Sequence, residues 1–257
     1  MINYLSTLSG KYYGIRADEG DLQKLELFLK AEYENPEPQT IEEFFISVKA
    51  ASFLTVGETY FFREPVHFEF LENHILENEI NELRICSAAV SSGCEAYSIA
   101  MLLEEISRKA NSLKGNSLSW HIDAFDLNPE YIHNAKTGLF NSRSLREDGK
   151  SYHEIAYSHL EKTGDKWQIK SPLGEKINFF VYNLMNELPI SNYDIIFFRN
   201  AFIYLIPDAR EKILLNLASA LKENGILIMG VSETAGAHPP LMKEKNNNDV
   251  FYFQKMI

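Results

Sequence analysis

The fold is decided by one stretch of the sequence, Leu83-Arg84-Ile85-Cys86-Ser87-Ala88-Ala89-Val90-Ser91-Ser92-Gly93-Cys94-Glu95. Leu83–Ser87 is typical of a short strand, and the apolar residues at 99, 102, 103 and 106 indicate a helix after the loop. Small loop residues let a ligand approach the backbone, and the free N–H groups of a helix start attract anions. Because the loop holds one glycine and no Gly-x-Gly-x-x-Gly pattern, a cofactor site and a plain turn fit it equally well.

The same alternation of strand and helix continues along the chain. Trp120–Phe125, Tyr193–Phe198 and Ile226–Val231 predict further strands, and Pro207–Lys222 predicts a helix that ends at Asn224-Gly225. Alternating strands and helices predict a doubly wound α/β sheet, with ligand sites outside the carboxyl ends of the strands.

Segments on both sides of this alternation are also predicted. The chain before residue 80 has apolar residues at helical spacing, from Ile41 to Val48 and from Phe68 to Ile75, with a turn at Glu34–Pro38. In the middle, Trp167–Ile169 and Ile177–Val181 flank Pro172-Leu173-Gly174, which predicts a β-hairpin. Val250–Phe253 is predicted to be an edge strand.

Composition excludes several classes of protein. The 257 residues suffice for one large domain, or for a main domain with a small satellite. The net charge of −11 argues against general nucleic-acid binding, because a phosphate backbone would be repelled. No apolar run is long enough to span a bilayer, and the N-terminus lacks the pattern of a signal peptide.

Cys86 and Cys94 are the only cysteines, and their setting predicts reduced thiols and a cytoplasmic location. The sequence contains neither His-Glu-x-x-His nor Cys-x-x-Cys, so no metal is expected.

Polar residues follow the predicted strands. Asp126 could accept hydrogen bonds from both hydroxyls of a ribose, or could only begin the turn that Asn128 caps. Asn183, which precedes Leu184, could bond an adenine edge or be an ordinary turn residue. Arg199-Asn200, with Tyr204 four residues later, could form a cleft wall or a surface ion pair.

The segment Thr59-Tyr60-Phe61-Phe62-Arg63-Glu64 lies between the helical part and the sheet. Its aromatic residues could form a hinge packed on the core, with Arg63 in a structural salt bridge. They could equally form a lid over a cofactor.

Together these segments resemble the CheR family of chemoreceptor glutamate methyltransferases. The matching stretches, in the family's order, are Gly57–Glu64, Ser87–Ala100, Asp126–Asn128, Phe198–Tyr204 and Gly230–Thr234. Each stretch alone is weak evidence, but five in register are specific to the family, and the likeness covers nearly the whole chain.

The resemblance implies a class I S-adenosylmethionine-dependent methyltransferase sheet with an N-terminal helical domain at residues 1–62. The methyltransferase domain would occupy 63–257, with an antiparallel β-subdomain inserted at about 166–181. The implied cofactor is S-adenosylmethionine, with S-adenosylhomocysteine as product. The implied partner is the cytoplasmic region of a chemoreceptor or receptor-like signalling protein, bound by a monomer that does not insert into the membrane.

The resemblance also implies the residues of the site. Arg63 and Tyr204 would lie near the transferred methyl group as catalytic residues. The cofactor-binding residues implied are Thr59, Arg63, Ala88, Glu95, Asp126, Asn183, Leu184, Arg199 and Asn200.

The implied chemistry is compatible with these residue types. A glutamate side chain is ionised at neutral pH, so it can attack the methyl-sulfonium without a general base. The enzyme must then exclude water and hold the attacking oxygen in line with the methyl group and sulfur. Arg63 and Tyr204 could orient the carboxylate or shape the pocket around the sulfonium.

The chain departs from the family in three places. The loop has Cys94 and Ala96 where the family has glutamate and proline, and Gly57 stands in place of an asparagine. The segment Asp18–Tyr33, which is Arg-rich in the family, has only Lys24 and Lys30 as basic residues.

These departures leave a second hypothesis, a regulatory module that binds S-adenosylmethionine without catalysis. A methyltransferase of small molecules or nucleic acids is a third hypothesis, but an inserted β-subdomain favours protein recognition, because an extended peptide can pair with its edge.

Overall fold

The computed structural model describes residues 1–114, 118–170, 172–233, 242–247 and 250–256. The helices are α1 Ile2–Tyr13, α2 Glu19–Tyr33, α3 Pro38–Ile46, α4 Ala51–Leu54, α5 Val66–Glu77, α6 Cys94–Lys114, α7 Pro129–Thr137, α8 His153–His159 and α9 Pro207–Ala220. The strands are β1 Glu82–Ala88, β2 Ser119–Asp126, β3 Leu139–Asn141, β4 Leu160–Thr163, β5 Lys166–Ile169, β6 Ile177–Val181, β7 Tyr193–Phe198, β8 Leu221–Met229, β9 Met242–Asn247 and β10 Val250–Lys255. None of the helices in these ranges has the length and hydrophobicity needed to cross a bilayer.

Helices α1 to α4 form a cluster with its own core. Leu25 and Phe45 are completely buried in it, and the hydroxyl of Tyr13 donates to the Phe45 carbonyl at 2.7 Å. The predicted helices and the turn before Pro38 are confirmed, although α3 ends at Ile46 and Val48 lies beyond it. Each buried side chain of this size contributes about 1.5–3 kcal/mol to folding, which gives these short helices the stability that they lack in isolation.

The main sheet has the strand order β6-β2-β1-β7-β8-β10-β9 and confirms the α/β prediction. Strands β6, β2, β1, β7 and β8 are parallel, and β10 is antiparallel to β8 and β9. Ile85 of β1 packs into the cluster that contains α6, and its neighbour Cys86 packs into the cluster that contains α9. Because β1 pairs with both β2 and β7, the strand order reverses at β1, and ligand sites form at such a reversal.

The prediction of a hairpin between Trp167–Ile169 and Ile177–Val181 is wrong. β5 pairs with β4 across Gly164-Asp165, in a three-stranded antiparallel sheet of order β3-β5-β4, whereas β6 is parallel to β2 in the main sheet. Gly164 has a φ of 64°, which a tight two-residue turn requires and glycine adopts without strain. Pro172 precedes a 3₁₀ turn at Leu173–Lys176 and not a hairpin loop.

Two further predictions are corrected. Val250–Phe253 is not at an edge, because β10 pairs with β8 on one side and with β9 on the other. Helix α9 ends at Ala220 and not at Asn224-Gly225, since Leu221 pairs with Tyr193 and begins β8 directly. The cap at Asn128 is confirmed, with its side-chain oxygen accepting from the Glu130 N–H at 2.9 Å.

Candidate functional site

A cavity that is partly open to solvent lies at the carboxyl ends of β1, β2 and β7. Ile15, the residues from Leu54 to Tyr60 other than Gly57, and Arg63 form further walls of this cavity. A cavity of this kind suits a small organic ligand that buries most of its surface. Of the residues predicted for the site, those that line it are Thr59, Arg63, Glu95, Asp126, Leu184, Arg199, Asn200 and Tyr204.

Two predicted residues lie outside the lining of this cavity. Ala88 is buried in the core on the α9 side of the sheet, and its neighbour Ala89 reaches the cavity instead. The Asn183 amide donates to the Tyr12 carbonyl at 2.7 Å and accepts from the Met185 N–H, so it ties the end of β6 to α1. Thr234, the last residue of the matching stretches, lies outside the described residues.

The loop after β1 has an unusual backbone. Ala89, Ser91 and Gly93 have φ values of 59°, 54° and 96°, in the left-handed region. That conformation costs a residue with a side chain about 1–2 kcal/mol, and such strain is concentrated at functional sites. Gly93 cannot be replaced without movement, because a Cβ atom would lie 2.9 Å from the Cβ of Ala135.

Asp126 holds this loop in place and keeps acceptor capacity free. Its Oδ2 accepts from the Ser91 N–H at 2.8 Å, and its Oδ1 accepts from the Asn128 N–H at 2.9 Å. Burial raises the pKa of Asp126, although the hydrogen bonds from the Asn128 and Ser91 N–H groups oppose that change. A carboxylate has about four lone-pair positions, so two remain for hydroxyl groups of a ligand.

Arg199 is buried between two carboxylates. Its Nη1 lies 2.8 Å from Glu95 Oε2, and its Nη2 lies 3.0 Å from Glu64 Oε2 and 2.6 Å from the Arg63 carbonyl oxygen. Burial by itself raises the pKa of Glu64, but the guanidinium and two hydrogen-bond donors, Asn200 and Val231, outweigh it and bring the pKa to about 2. The side chains of Arg199, Glu64 and Glu95 therefore form one connected group of ion pairs.

The turn that carries Asn200 and Tyr204 is held by another buried carboxylate, that of Glu233. Glu233 accepts from the Asn200 N–H at 2.6 Å, from Gly230 at 3.1 Å and from Ile203 at 3.4 Å. Asn200 has a φ of 57°, and burial raises the pKa of Glu233. This arrangement fixes the turn after β7 and places Tyr204 at the cavity wall.

Arg63 lies at the mouth of the cavity. Its Nη1 donates to the Glu58 carbonyl at 2.9 Å. A second, smaller cavity adjoins the first, and both are lined by Arg63, Asn200 and Tyr204. These three residues, together with Val56 and Glu58, therefore lie between the two cavities.

The structure shows the surroundings of two residues at which the chain departs from the family, Gly57 and Cys94. Tyr131 occupies the space beside Gly57, because a Cβ at residue 57 would lie 2.4 Å from the Tyr131 ring. The Tyr131 hydroxyl donates to Thr55, and its ring lines the cavity. Cys94 is buried, and burial raises the pKa of its thiol to about 12, so the thiol is protonated at neutral pH.

Sequence reasoning missed several residues of the site, chiefly Glu64, Ser91, Tyr131 and Glu233. Glu64 and Glu233 lie within the stretches that match the family, and a carboxylate inside such a stretch is a usable signal. Ser91 and Tyr131 gave no such signal. The role of Ser91 depends on the direction of its backbone N–H, and that of Tyr131 depends on the proximity of α7 to Thr55.

His67 gives a testable pH dependence. It is completely buried on α5, with Nδ1 3.3 Å from Glu64 Oε2. Burial and the nearby Arg199 lower its pKa from 6.5 to about 3, and Glu64 opposes this. Below pH 6.5 the unfolded chain binds a proton that the folded chain does not, so the unfolding free energy falls by about 1.4 kcal/mol per pH unit until about pH 3.

We expect the His67→Gln variant to lose about 2 kcal/mol less than the unmodified protein when the pH is lowered from 7 to 5. Urea unfolding at both pH values measures the difference, and both lie above the range in which Glu64 titrates. His133→Gln, at an exposed histidine on α7, should keep the full loss. An unchanged loss in His67→Gln would show that His67 is not buried in its neutral form.

No group of three or more His, Cys, Asp or Glu side chains that could hold a metal ion occurs among the described residues. The site thus consists of carboxylates, a buried guanidinium, amides and aromatic rings around a cavity.

Comparison with known proteins gives a consistent picture. The model of the family described as CheR methyltransferase, SAM binding domain, matches residues 57–250. The chain is 32% identical to the chemotaxis protein methyltransferase Cher2 of Pseudomonas putida, over 72% of this chain and 69% of that protein. It is 35% identical to a chemotaxis protein methyltransferase of Vibrio anguillarum, over 74% of this chain and 69% of that protein. A solved TehB-like SAM-dependent methyltransferase of Corynebacterium glutamicum has a TM-score of 0.40 and 16% identity, covering 74% of this chain and 99% of that one.

Proposed function

The chain belongs to the CheR methyltransferase family, and from this premise we propose that it transfers the methyl group of S-adenosylmethionine to glutamate side chains of chemoreceptors. It is an S-adenosylmethionine-dependent enzyme, and the alternative of a silent regulatory module is not favoured. The observation that carries the proposal is the pair of adjoining cavities that share Arg63, Asn200 and Tyr204. One cavity can hold the cofactor, and the other can admit a side chain to its reactive end.

The residues of the larger cavity fit S-adenosylmethionine. Asp126 has two lone-pair positions left for the ribose hydroxyls. Arg199 lines the cavity, and its buried Nε has no acceptor among the described residues, which suits the carboxylate of the cofactor. Phe125, Tyr182 and Leu184 supply apolar surface for the adenine. When bound, the cofactor supplies an electrophilic methyl group on a sulfonium.

The protein itself contributes to catalysis by positioning the acceptor carboxylate and by placing charged and polar groups beside it. The acceptor carboxylate needs no proton removed, so the wall formed by Arg63 and Tyr204 must orient it and keep water out. The Tyr204 hydroxyl and the Arg63 guanidinium can both donate to a carboxylate oxygen. The Glu95 carboxylate accepts hydrogen bonds from the side chains of Ser87 and Arg199, and it supports this wall through Arg199.

The proposal keeps the residue roles and the limits of the two domains predicted from the sequence. The limits of the β-subdomain change, because the antiparallel strands lie within residues 139–169 and not at about 166–181. The helical domain spans 1–62 and the methyltransferase domain 63–257, and the protein acts on the cytoplasmic region of the receptor as a monomer in the cytoplasm. The cofactor-binding set remains Thr59, Arg63, Ala88, Glu95, Asp126, Asn183, Leu184, Arg199 and Asn200. For Ala88 and Asn183 the support is indirect, since each positions a neighbour that lines the cavity.

The proposal is tested with tritiated S-adenosylmethionine and membranes of the source organism. We expect label on a receptor-sized protein, and its release as methanol at alkaline pH, because glutamyl methyl esters are base-labile. Label in a small molecule or in nucleic acid would contradict the proposal. Absence of label from every fraction, with intact cofactor binding, would support the regulatory module instead.

Arg63→Ala should lower kcat for methyl transfer by about tenfold to thirtyfold and change the Kd for S-adenosylhomocysteine by about threefold or less. The reason is that Arg63 faces the acceptor side, where it orients the carboxylate. Steady-state kinetics and calorimetry give the two values, and Arg143→Ala, at an exposed arginine, is the control. Equal losses in kcat and affinity would mean that Arg63 only binds cofactor.

A further inference from the structure

The loop that carries Arg63 is held by the segment between β3 and α8. The Phe61 N–H donates to the Ser144 carbonyl at 2.8 Å. The ring of Phe62 stacks on that of Tyr152, with centroids 4.8 Å apart and planes inclined by 6°. The backbone of the loop is therefore fixed by residues 142–152, which precede the antiparallel sheet strands β4 and β5.

Tyr60 also links the loop to this segment, at the mouth of the cavity. Its hydroxyl donates to Asp148 Oδ2 at 2.6 Å, and the Arg146 guanidinium lies over its ring at 4.1 Å from the centroid. Arg146 also donates to Glu58 Oε1 at 2.9 Å, so its charge is balanced. Burial raises the pKa of Tyr60 to about 12, and Asp148 contributes, which keeps the hydroxyl a donor at neutral pH.

The Arg63 guanidinium lies over the same ring, 5.6 Å from its centroid. Within the described residues, Arg63 forms no ion pair, and one backbone carbonyl accepts from its side chain. A ring face attracts a guanidinium but takes neither its charge nor its N–H donors. A carboxylate in the place of Tyr60 would hold Arg63 too, but would neutralise it.

We propose that Tyr60 is a positioning residue for Arg63, which it holds at the cavity mouth with its charge and donors free for the acceptor carboxylate. This inference rests on the proposed function. Asp148 and Arg146 fix the ring, and Tyr60 acts through Arg63 and does not itself touch the reacting atoms.

Kinetics separates this role from a structural one. Tyr60→Leu should lower kcat by about tenfold, because Arg63, the group that orients the acceptor, would be displaced. The same variant should change the Kd for S-adenosylhomocysteine by about threefold or less. Tyr60→Phe keeps the ring face and should retain kcat within about threefold. Tyr157→Leu, at an exposed tyrosine of α8 that is absent from the cavity lining, is the matched control and should match the unmodified protein.

A double variant tests directly whether Tyr60 acts through Arg63. In the Arg63→Ala background, Tyr60→Leu should cause no further loss of kcat, because the group that it positions is gone. Independent, multiplicative losses in the double variant would overturn the proposal. Equal losses in Tyr60→Phe and Tyr60→Leu would overturn it as well, because the ring would then not be the active part.

A measurement without acceptor keeps the inference separate from the proposed function. In protein labelled with ¹⁵N-arginine, the side-chain resonance of Arg63, assigned with Arg63→Lys, should show a ring-current shift. The shift should persist in Tyr60→Phe and disappear in Tyr60→Leu. An Arg63 resonance that is the same in the unmodified protein, Tyr60→Phe and Tyr60→Leu overturns the inference. Absence of methyl transfer by the unmodified protein overturns the proposed function instead.

Discussion

Replacing Asp126 with alanine is expected to weaken the binding of S-adenosylhomocysteine by about a hundredfold, measured by calorimetry. The expected loss has two causes. The ribose hydroxyls would lose a buried charged acceptor, and a hydrogen bond to a charged group contributes about 1.5–3 kcal/mol. The Ser91 N–H, which donates to Asp126 at 2.8 Å, would also be released, so the strained loop from Ala89 to Gly93 would lose its support.

Two control variants show whether the loss of affinity is specific to the Asp126 carboxylate. Glu130→Ala removes an exposed carboxylate four residues further on and should leave the Kd unchanged. Asp126→Asn keeps an acceptor oxygen and should bind with intermediate affinity. A Kd for Asp126→Ala equal to that of the unmodified protein would remove Asp126 from the site and place the ribose elsewhere.

The second large effect is on stability. Arg199→Met should lower the unfolding free energy by about 3–5 kcal/mol, because Glu64 and Glu95 would stay buried without a cation. Their side chains are 20% and 12% exposed, and that of Arg199 is 1% exposed, so solvent can compensate little. Urea or guanidinium unfolding at pH 7 measures the change.

The charge argument can be separated from the loss of packing. Adding Glu64→Gln to Arg199→Met should recover part of the lost stability, since one uncompensated charge is removed. Arg108→Met breaks the exposed pair with Glu105 and should cost less than about 1 kcal/mol. If the double variant is less stable than Arg199→Met by the full cost of a second independent mutation, the buried charges are not the cause.

Of the residues predicted for the site, several that follow strand ends, among them Asp126 and Arg199, line the cavity. The carboxyl ends of parallel strands meet at one edge of a sheet, so Asp126 and Arg199 could be placed together from local patterns alone. The hairpin prediction failed for the opposite reason. The pattern of Ile177–Val181 indicates a strand but not its partner, and β2 lies more than 50 residues away.

The missed residues show the same limit. Glu64 is important because Arg199, Asn200 and Val231 all donate to it, and that convergence exists only after the sheet has formed. Asn183 was predicted from its place at a strand end, but its side-chain direction is set by the carbonyl of Tyr12 on α1. Strand position can be inferred from sequence, whereas side-chain direction depends on contacts with distant elements.

The most direct measurement of the central claim is to map the transferred methyl group by tandem mass spectrometry. The labelled receptor-sized protein is digested at neutral pH and its peptides are sequenced. The account predicts one added methyl group on glutamate side chains, reduced about tenfold to thirtyfold in samples made with Arg63→Ala at short times and lost on alkaline treatment. Methyl groups on lysine, arginine or another residue type, stable to alkali, would contradict it.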